Sequence, residues 1–342
     1  MTSRRPMPRN TAGSKSRTCD RKQSSSATDG DRDKEEAELS SPNCSHSAPA
    51  DMSKLSDAVK SLINAGFARP GYTRAGPQVR PALERIARDA SDKKVGLPAW
   101  VTVSTAVSAT MNCPEAMTQV FHLANETSAS STPKQRTPAQ NAELVREVGL
   151  KCISFNGIPR TINTLGAFWG SLPEDVQEVL RQTPPTRNLT PENLELRKRD
   201  GLALWDSVYI GFERKLLDKL AQSHPDLPVH IINGHYSNLL SNPRGAVGRT
   251  ETVGRVLTSL LAISCLRSQM GVGPQVVSHI FGLRKAYEHG DAHAEGEVPV
   301  EGGEWLASEE GNLWLLNSVD NLVYAIGGSE GTTFAPGLRA KL

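Results

Sequence analysis

The sequence predicts an all-α protein. Apolar residues recur at helical spacing through most of the chain, Pro at first turns and Gly at ends bracket those runs, and β-type alternation is nearly absent. The expected architecture is two pseudo-repeated helical halves packed as one unit, over 53–183 and 190–330. A disordered N-terminal tail over 1–52 and an exposed C-terminal tail over 331–342 flank them.

Taken in order, Leu55, Val59, Leu62 and Ile63 make one helical face, with Gly66 as its stop. A Pro/Gly loop follows over 69–76. From Pro98 to Met111, Trp100, Val101, Val103 and Val107 are apolar enough for a buried helix. Pro114 suits the first turn of the next, where Met117, Val120, Phe121 and Ala124 repeat at i, i+3, i+4 and i+7. Val145, Val148, Cys152 and Phe155 form another face, broken at Gly157. Ile158, Ile162, Leu165 and Trp169 form one more. The connection Thr183-Pro184-Pro185-Thr186 marks the seam between halves. Beyond it, Leu202, Trp205, Val208, Tyr209, Phe212, Leu216 and Leu220 line a long helix. The cleanest periodicity is Val253, Val256, Leu257, Leu260, Leu261 and Ser264. Gly271-Val272-Gly273-Pro274 ends that helix and opens the next, which Gly290 closes. A last helix carries Leu315, Val319, Leu322, Val323 and Ile326. Val229–Ile232 is the best candidate for a strand and is too short to change the fold class.

Composition bounds the function. The chain has 342 residues, 37% hydrophobic, with a net charge of +2. That charge carries no basic excess of the kind nucleic-acid binding needs. No apolar run reaches the length of a membrane span, so no membrane insertion is expected. Five cysteines, an odd number without regular spacing, argue against a secreted disulfide framework. The first 52 residues are Arg- and Ser-rich and then acidic, with almost no large apolar side chain to offset the entropy of ordering. Such a start resembles a mitochondrial presequence but lacks its apolar face. The final Ala340-Lys341-Leu342 fits the peroxisomal receptor pattern, so the expected location is the peroxisome and the expected partner its import receptor, with mitochondrion or cytosol as alternatives.

Two stretches resemble a known family. The run Cys152-Ile153-Ser154-Phe155-Asn156-Gly157-Ile158-Pro159-Arg160-Thr161-Ile162-Asn163-Thr164-Leu165 resembles the final helix signature of the carboxymuconolactone decarboxylase family. The stretch from Tyr236 to Gly290 is similar to the front part of the same domain, with Ser241-Asn242-Pro243-Arg244, the apolar helix after Thr250, then Pro274-Gln275 and His279. That family belongs to the alkylhydroperoxidase D-like superfamily. The resemblance implies helical domains that often occur doubled and usually form homo-oligomers.

The peroxidase branch of that superfamily uses a Cys-x-x-Cys pair followed by His. This chain has none, so a thiol peroxidase is disfavoured. Cys152 and Cys265 lie on apolar faces and read as small buried hydrophobes. Cys113, just before the Pro114 helix, is a candidate reactive thiol, because a helix N-terminus lowers a thiol pKa. In the decarboxylase branch a His acts as general base, and the resemblance places His279 in that role. Glu251 is its candidate catalytic partner, with Arg255, Gln275, Arg160 and Asn163 as candidate substrate-binding residues. The rival role for His279 is a core histidine bonded across helices, and for Arg160 and Asn163 a bridge between helices. His289, Asp291, His293, Glu295 and Glu297 at a helix end read as a solvated cluster rather than a metal site. No metal and no cofactor is expected. The two functional expectations are proton transfer on a small organic acid and, alternatively, a non-catalytic helical scaffold of the same fold.

Overall fold

The computed structural model describes residues 55–130, 136–243 and 252–328, and among these every regular element is helical. In chain order they are α1 (Asp57–Ile63), α2 (Val79–Asp92), α3 (Leu97–Thr110), α4 (Pro114–Ser130), α5 (Pro138–Lys151), α6 (Ile153–Asn156), α7 (Ile158–Ser171) and α8 (Glu174–Arg181). After the predicted seam come α9 (Leu194–Tyr209), α10 (Glu213–Ser223), α11 (Asp226–His230) and a π-helix over Ile231–Leu240. The chain ends its described part with α12 (Arg255–Gln269), α13 (Gly273–Glu288), α14 (Gly303–Ala307) and α15 (Glu309–Gly327). The segment Val229–Ile232 is helical rather than extended, spanning α11 and the π-helix.

The core is built on α3 and α12, which pack against each other. Both are buried nearly all round, as helices at the centre of a bundle must be. Several of their small polar residues are accommodated because the hydroxyl returns a hydrogen bond to its own helix, while Ser104 Oγ and Thr105 Oγ1 have no partner among the described residues. Ser108 Oγ donates to Ser104 O at 2.8 Å and Thr110 Oγ1 to Ala106 O at 2.7 Å. On α12, Ser264 Oγ donates to Leu260 O and Ser268 Oγ to Ser264 O, both at 2.7 Å. Each central helix ends on a non-glycine residue with positive φ, Asn112 at 51° and Met270 at 64°, and is followed by a helix with Pro in its first turn. That residue reverses the chain, and α4 packs back on α3 as α13 does on α12.

Around this pair, α2, α4, α5, α7 and α15 bury their apolar stripes in one continuous core running from Val79 to Ile326. The described residues from Ala58 onward are accordingly one compact unit. A smaller cluster of Trp205, Tyr236 and Leu240 joins α9 to the π-helix. The approach there is close. A Cβ on Gly201 would lie 2.4 Å from Ser237 Cα, so only glycine fits.

Two predicted faces are corrected. Leu55, Val59, Leu62 and Ile63 are all exposed, and α1 buries no residue. On α7 the buried residues are Thr161, Thr164 and Phe168, while Ile158 and Ile162 point outward. The cause is local: Thr164 Oγ1 donates to Arg160 O at 2.8 Å, so the threonine is satisfied within its helix and its methyl is free to pack.

Candidate functional site

His279 lies on α13, buried, where the helix packs against α9 and α12. Its imidazole stands edge-on to two rings, Phe155 and Tyr209, each with centroids 6.0 Å away. Its Nδ1 has no hydrogen-bond partner among the described residues. Burial pushes the imidazole down to about 4, with the charge of Arg255 adding to the effect, so the ring is neutral at pH 7. Tyr236 Oη donates to Tyr209 Oη at 3.4 Å, and burial raises the pKa of both phenols. Tyr236 is carried by the π-helix, an element often found at functional sites.

Arg255 opens α12 and is also buried. Its Nε donates to Ser207 Oγ and its Nη1 to Ser259 Oγ, both at 2.6 Å. Nη2 donates to Gly282 O at 2.8 Å and to Ser207 O at 3.3 Å. Ser207 Oγ passes the charge on to Asp291 Oδ2 at 2.5 Å, and the Arg255 backbone N–H donates to Glu297 Oε2 at 2.7 Å. Asp291 and Glu297 thus serve Arg255 rather than a metal, and no group of metal-ligating side chains gathers among the described residues. A guanidinium bonded on all sides to α9, α12 and α13 ties helices together and leaves little for a substrate.

The other sequence-selected residues lie apart from this pair. Gln275 is exposed on the first turn of α13, its backbone N–H bonded to Val272 O. Arg160 Nη1 donates to Thr110 O, and Asn163 Nδ2 to Asn112 Oδ1 at 3.3 Å. Both therefore fasten α7 to the end of α3. Cys113 is fully buried, and burial pushes its thiol up to about 11, against a weaker lowering by the Ala116 backbone N–H. Desolvation outweighs the helix N-terminus, so this position does not produce the reactive thiolate that its place in the sequence suggested. Glu251, the N-terminal tail over 1–52 and the tripeptide Ala340-Lys341-Leu342 lie outside the described residues.

Two open clefts mark the surface. One of about 470 Å³ lies between the end of α12 and α15, lined by Met270, Val276 and Tyr324 among others. The second, of about 650 Å³, lies between α5 and α8, with Gln140 and Glu178 in its walls. Neither includes His279.

Sequence reasoning missed two features. Lys151 is fully buried at the end of α5, and its Nζ donates to Leu240 O and Val253 O, both at 2.6 Å, and to Asn242 Oδ1 at 2.8 Å. Glu147, one turn earlier, lies 4.0 Å away and is itself held by Arg187. The ammonium thereby holds the chain on both sides of residues 244–251. Its signal was a lysine in the apolar row Leu144, Val148, Lys151, Phe155. The second feature is a thiol pair. Cys152 Sγ and Cys265 Sγ, 113 residues apart in sequence, are 3.6 Å from each other in the core. The hydrogen bond from Cys265, together with burial, holds the Cys152 thiol well above its usual range. Nothing in the spacing of the two cysteines indicated that they meet. Compared with family models, with curated proteins and with solved structures, the chain has no significant match.

Proposed function

We propose that this chain is a non-catalytic helical scaffold of the alkylhydroperoxidase D-like kind, assembling with copies of itself. The observation that carries the reading is the packing of His279. Its ring fills the space between Phe155 and Tyr209, and the neighbouring guanidinium of Arg255 is bonded to protein acceptors throughout. The two groups best suited to proton transfer and acid binding are engaged in joining α9, α12 and α13. A base near 4 is also weak for abstracting protons at neutral pH. Self-assembly draws support from exposed apolar pairs at helical spacing, Val277 with Phe281 and Ile158 with Ile162.

One observation favours a second reading. The buried Nδ1 of His279, without a hydrogen-bond partner among the described residues and on a ring that faces the Tyr209 phenol, is where a general base for a small organic acid would stand. Diethyl pyrocarbonate separates the two. Under the scaffold reading His279 stays unmodified in the native protein and reacts only on unfolding. Fast native modification, slowed by small carboxylic acids, would overturn it in favour of the enzyme.

A further inference from the structure

We infer that Cys152 and Cys265 are a redox site: a small hydroperoxide converts them, inside the folded core, into a reversible disulfide that locks α12 to the α5–α6 junction. The inference is independent of whether His279 is catalytic. Cys152 caps α5 and leads into α6, Cys265 lies in the middle of α12, and both are fully buried. At 3.6 Å their sulfurs are already in van der Waals contact. A covalent bond of about 2.05 Å then asks for roughly 1.5 Å of approach, a movement on the scale of side-chain rotation.

The surroundings assign the two sulfurs different roles. Asn156 Nδ2 is aimed at Cys265 Sγ, 3.8 Å away. The orientation of that amide is fixed from its other end, where Oδ1 accepts from Thr110 Oγ1 at 3.1 Å and from Gln269 Nε2 at 3.3 Å. Cys265, the sulfur that this amide faces, is assigned as the attacking thiol, and Cys152, in contact with it, as the resolving one. Its sulfur takes the distal oxygen of the hydroperoxide, the O–O bond breaks, and the alcohol leaves with the thiol proton. Cys265 is then a sulfenic acid. Cys152 Sγ attacks that sulfur, the S–S bond forms, and the hydroxyl departs with the Cys152 proton as water. Two thiols lose two electrons and the O–O bond gains them. Burial restricts the oxidant to a small molecule and keeps soluble thiols from capping the sulfenic acid, which leaves Cys152 as its available partner.

The site differs from the remaining described thiol. Cys113 is equally buried and no cysteine sulfur is among its hydrogen-bond partners, so it serves as an internal control. A bond between residues 113 apart also closes a long loop, which constrains the unfolded chain strongly.

The test treats the full chain with graded hydrogen peroxide, then alkylates in denaturant and maps peptides by mass. The expected product is a linked Cys152–Cys265 peptide lighter by two hydrogens, with Cys113 recovered as a free thiol, and dithiothreitol restores both thiols. The oxidised protein should melt about 5 °C or more higher than the reduced one. That rise should vanish in Cys265→Ser and, as a second variant, in Cys152→Ala, compared under the same conditions. Recovery of both residues as free thiols, or as separate sulfinic acids, at peroxide levels that leave the helical signal intact would overturn the inference. A linked peptide that appears only after unfolding, or one that lowers the melting temperature, overturns it equally.

Discussion

At the scale of the residue, His279 makes stability depend on pH in a defined window. Its folded value near 4 lies below the unfolded value near 6.5, so the unfolded chain binds the proton more readily between them. The stabilisation is complete above about 6.5 and is lost as pH falls through the window toward 4, amounting to roughly 3 kcal/mol. His235, lowered by burial and by His230, acts in the same direction. Exposed carboxylates such as Glu115, lowered by Arg74, begin to contribute only below about 4.5. Urea unfolding at pH 7.5, 5.5 and 4.5 should show this fall, and His279→Gln should flatten it. An equal slope in the variant would assign the loss to other groups. The sequence did bring His279 and Arg255 into view, and the structure does place them near each other. It gave no sign that Arg255 would be satisfied by Ser207 and Gly282 as well as by Ser259 on its own helix, because those two partners lie on other helices, 48 and 27 residues away. The Cys152–Cys265 contact was hidden for the same reason, since side chains on separate apolar faces show no relative position until the helices pack.

At the scale of the element, helices were legible where apolar residues recur strongly at helical spacing. The faces of α4, α12 and α15 are buried residue for residue as their periodicity demands. Helix α2 went unassigned, although Val79, Leu83, Ile86 and Ala90 keep helical spacing, because arginines and acids between them dilute the run. Faces on α1 and α7 were misjudged because apolar spacing says that residues share a side, and only the neighbouring elements decide which side is covered. Lys151 shows the converse, a charge on the covered side of α5 held by acceptors from elsewhere. Removing it should therefore cost far more than a surface charge would. Lys151→Met keeps the stem but removes the donor to Leu240 O, Val253 O and Asn242 Oδ1, leaves Val253 O with the Thr258 hydroxyl, and takes the ammonium away from Glu147. The expected loss is about 3–5 kcal/mol in urea unfolding, the cost of breaking a buried charge network. Lys198→Met, at an exposed pair with Glu195, should stay within about 0.5 kcal/mol. Similar losses in the two variants would mean that Lys151 is no clasp.

At the scale of the whole molecule, both sides of the predicted seam contribute to one core. The central pair α3 and α12 comes from opposite sides of residues 183–186, and the apolar cluster around them draws on α2, α4 and α5 as well as on α13 and α15. Neither side can bury its central helix alone, so the two should unfold together in one cooperative transition. The core cluster begins only at Val79. Up to Ser53 the sequence has few large apolar side chains to place in any core. Stability should therefore reside in residues 58–342. A chain starting at Leu55 should melt within about 2 °C of the full sequence, since surface changes away from the core shift stability by only a few tenths of a kcal/mol. It should also keep a single transition in which helical signal and tryptophan fluorescence fall together. Of the five tryptophans, Trp100 reports on the main core and Trp205 on the smaller cluster of α9 and the π-helix. Coincident curves mean that both clusters melt with the central pair. A drop of several degrees would show that the first 54 residues contribute to the fold, and two resolved transitions would show that the halves are independent after all.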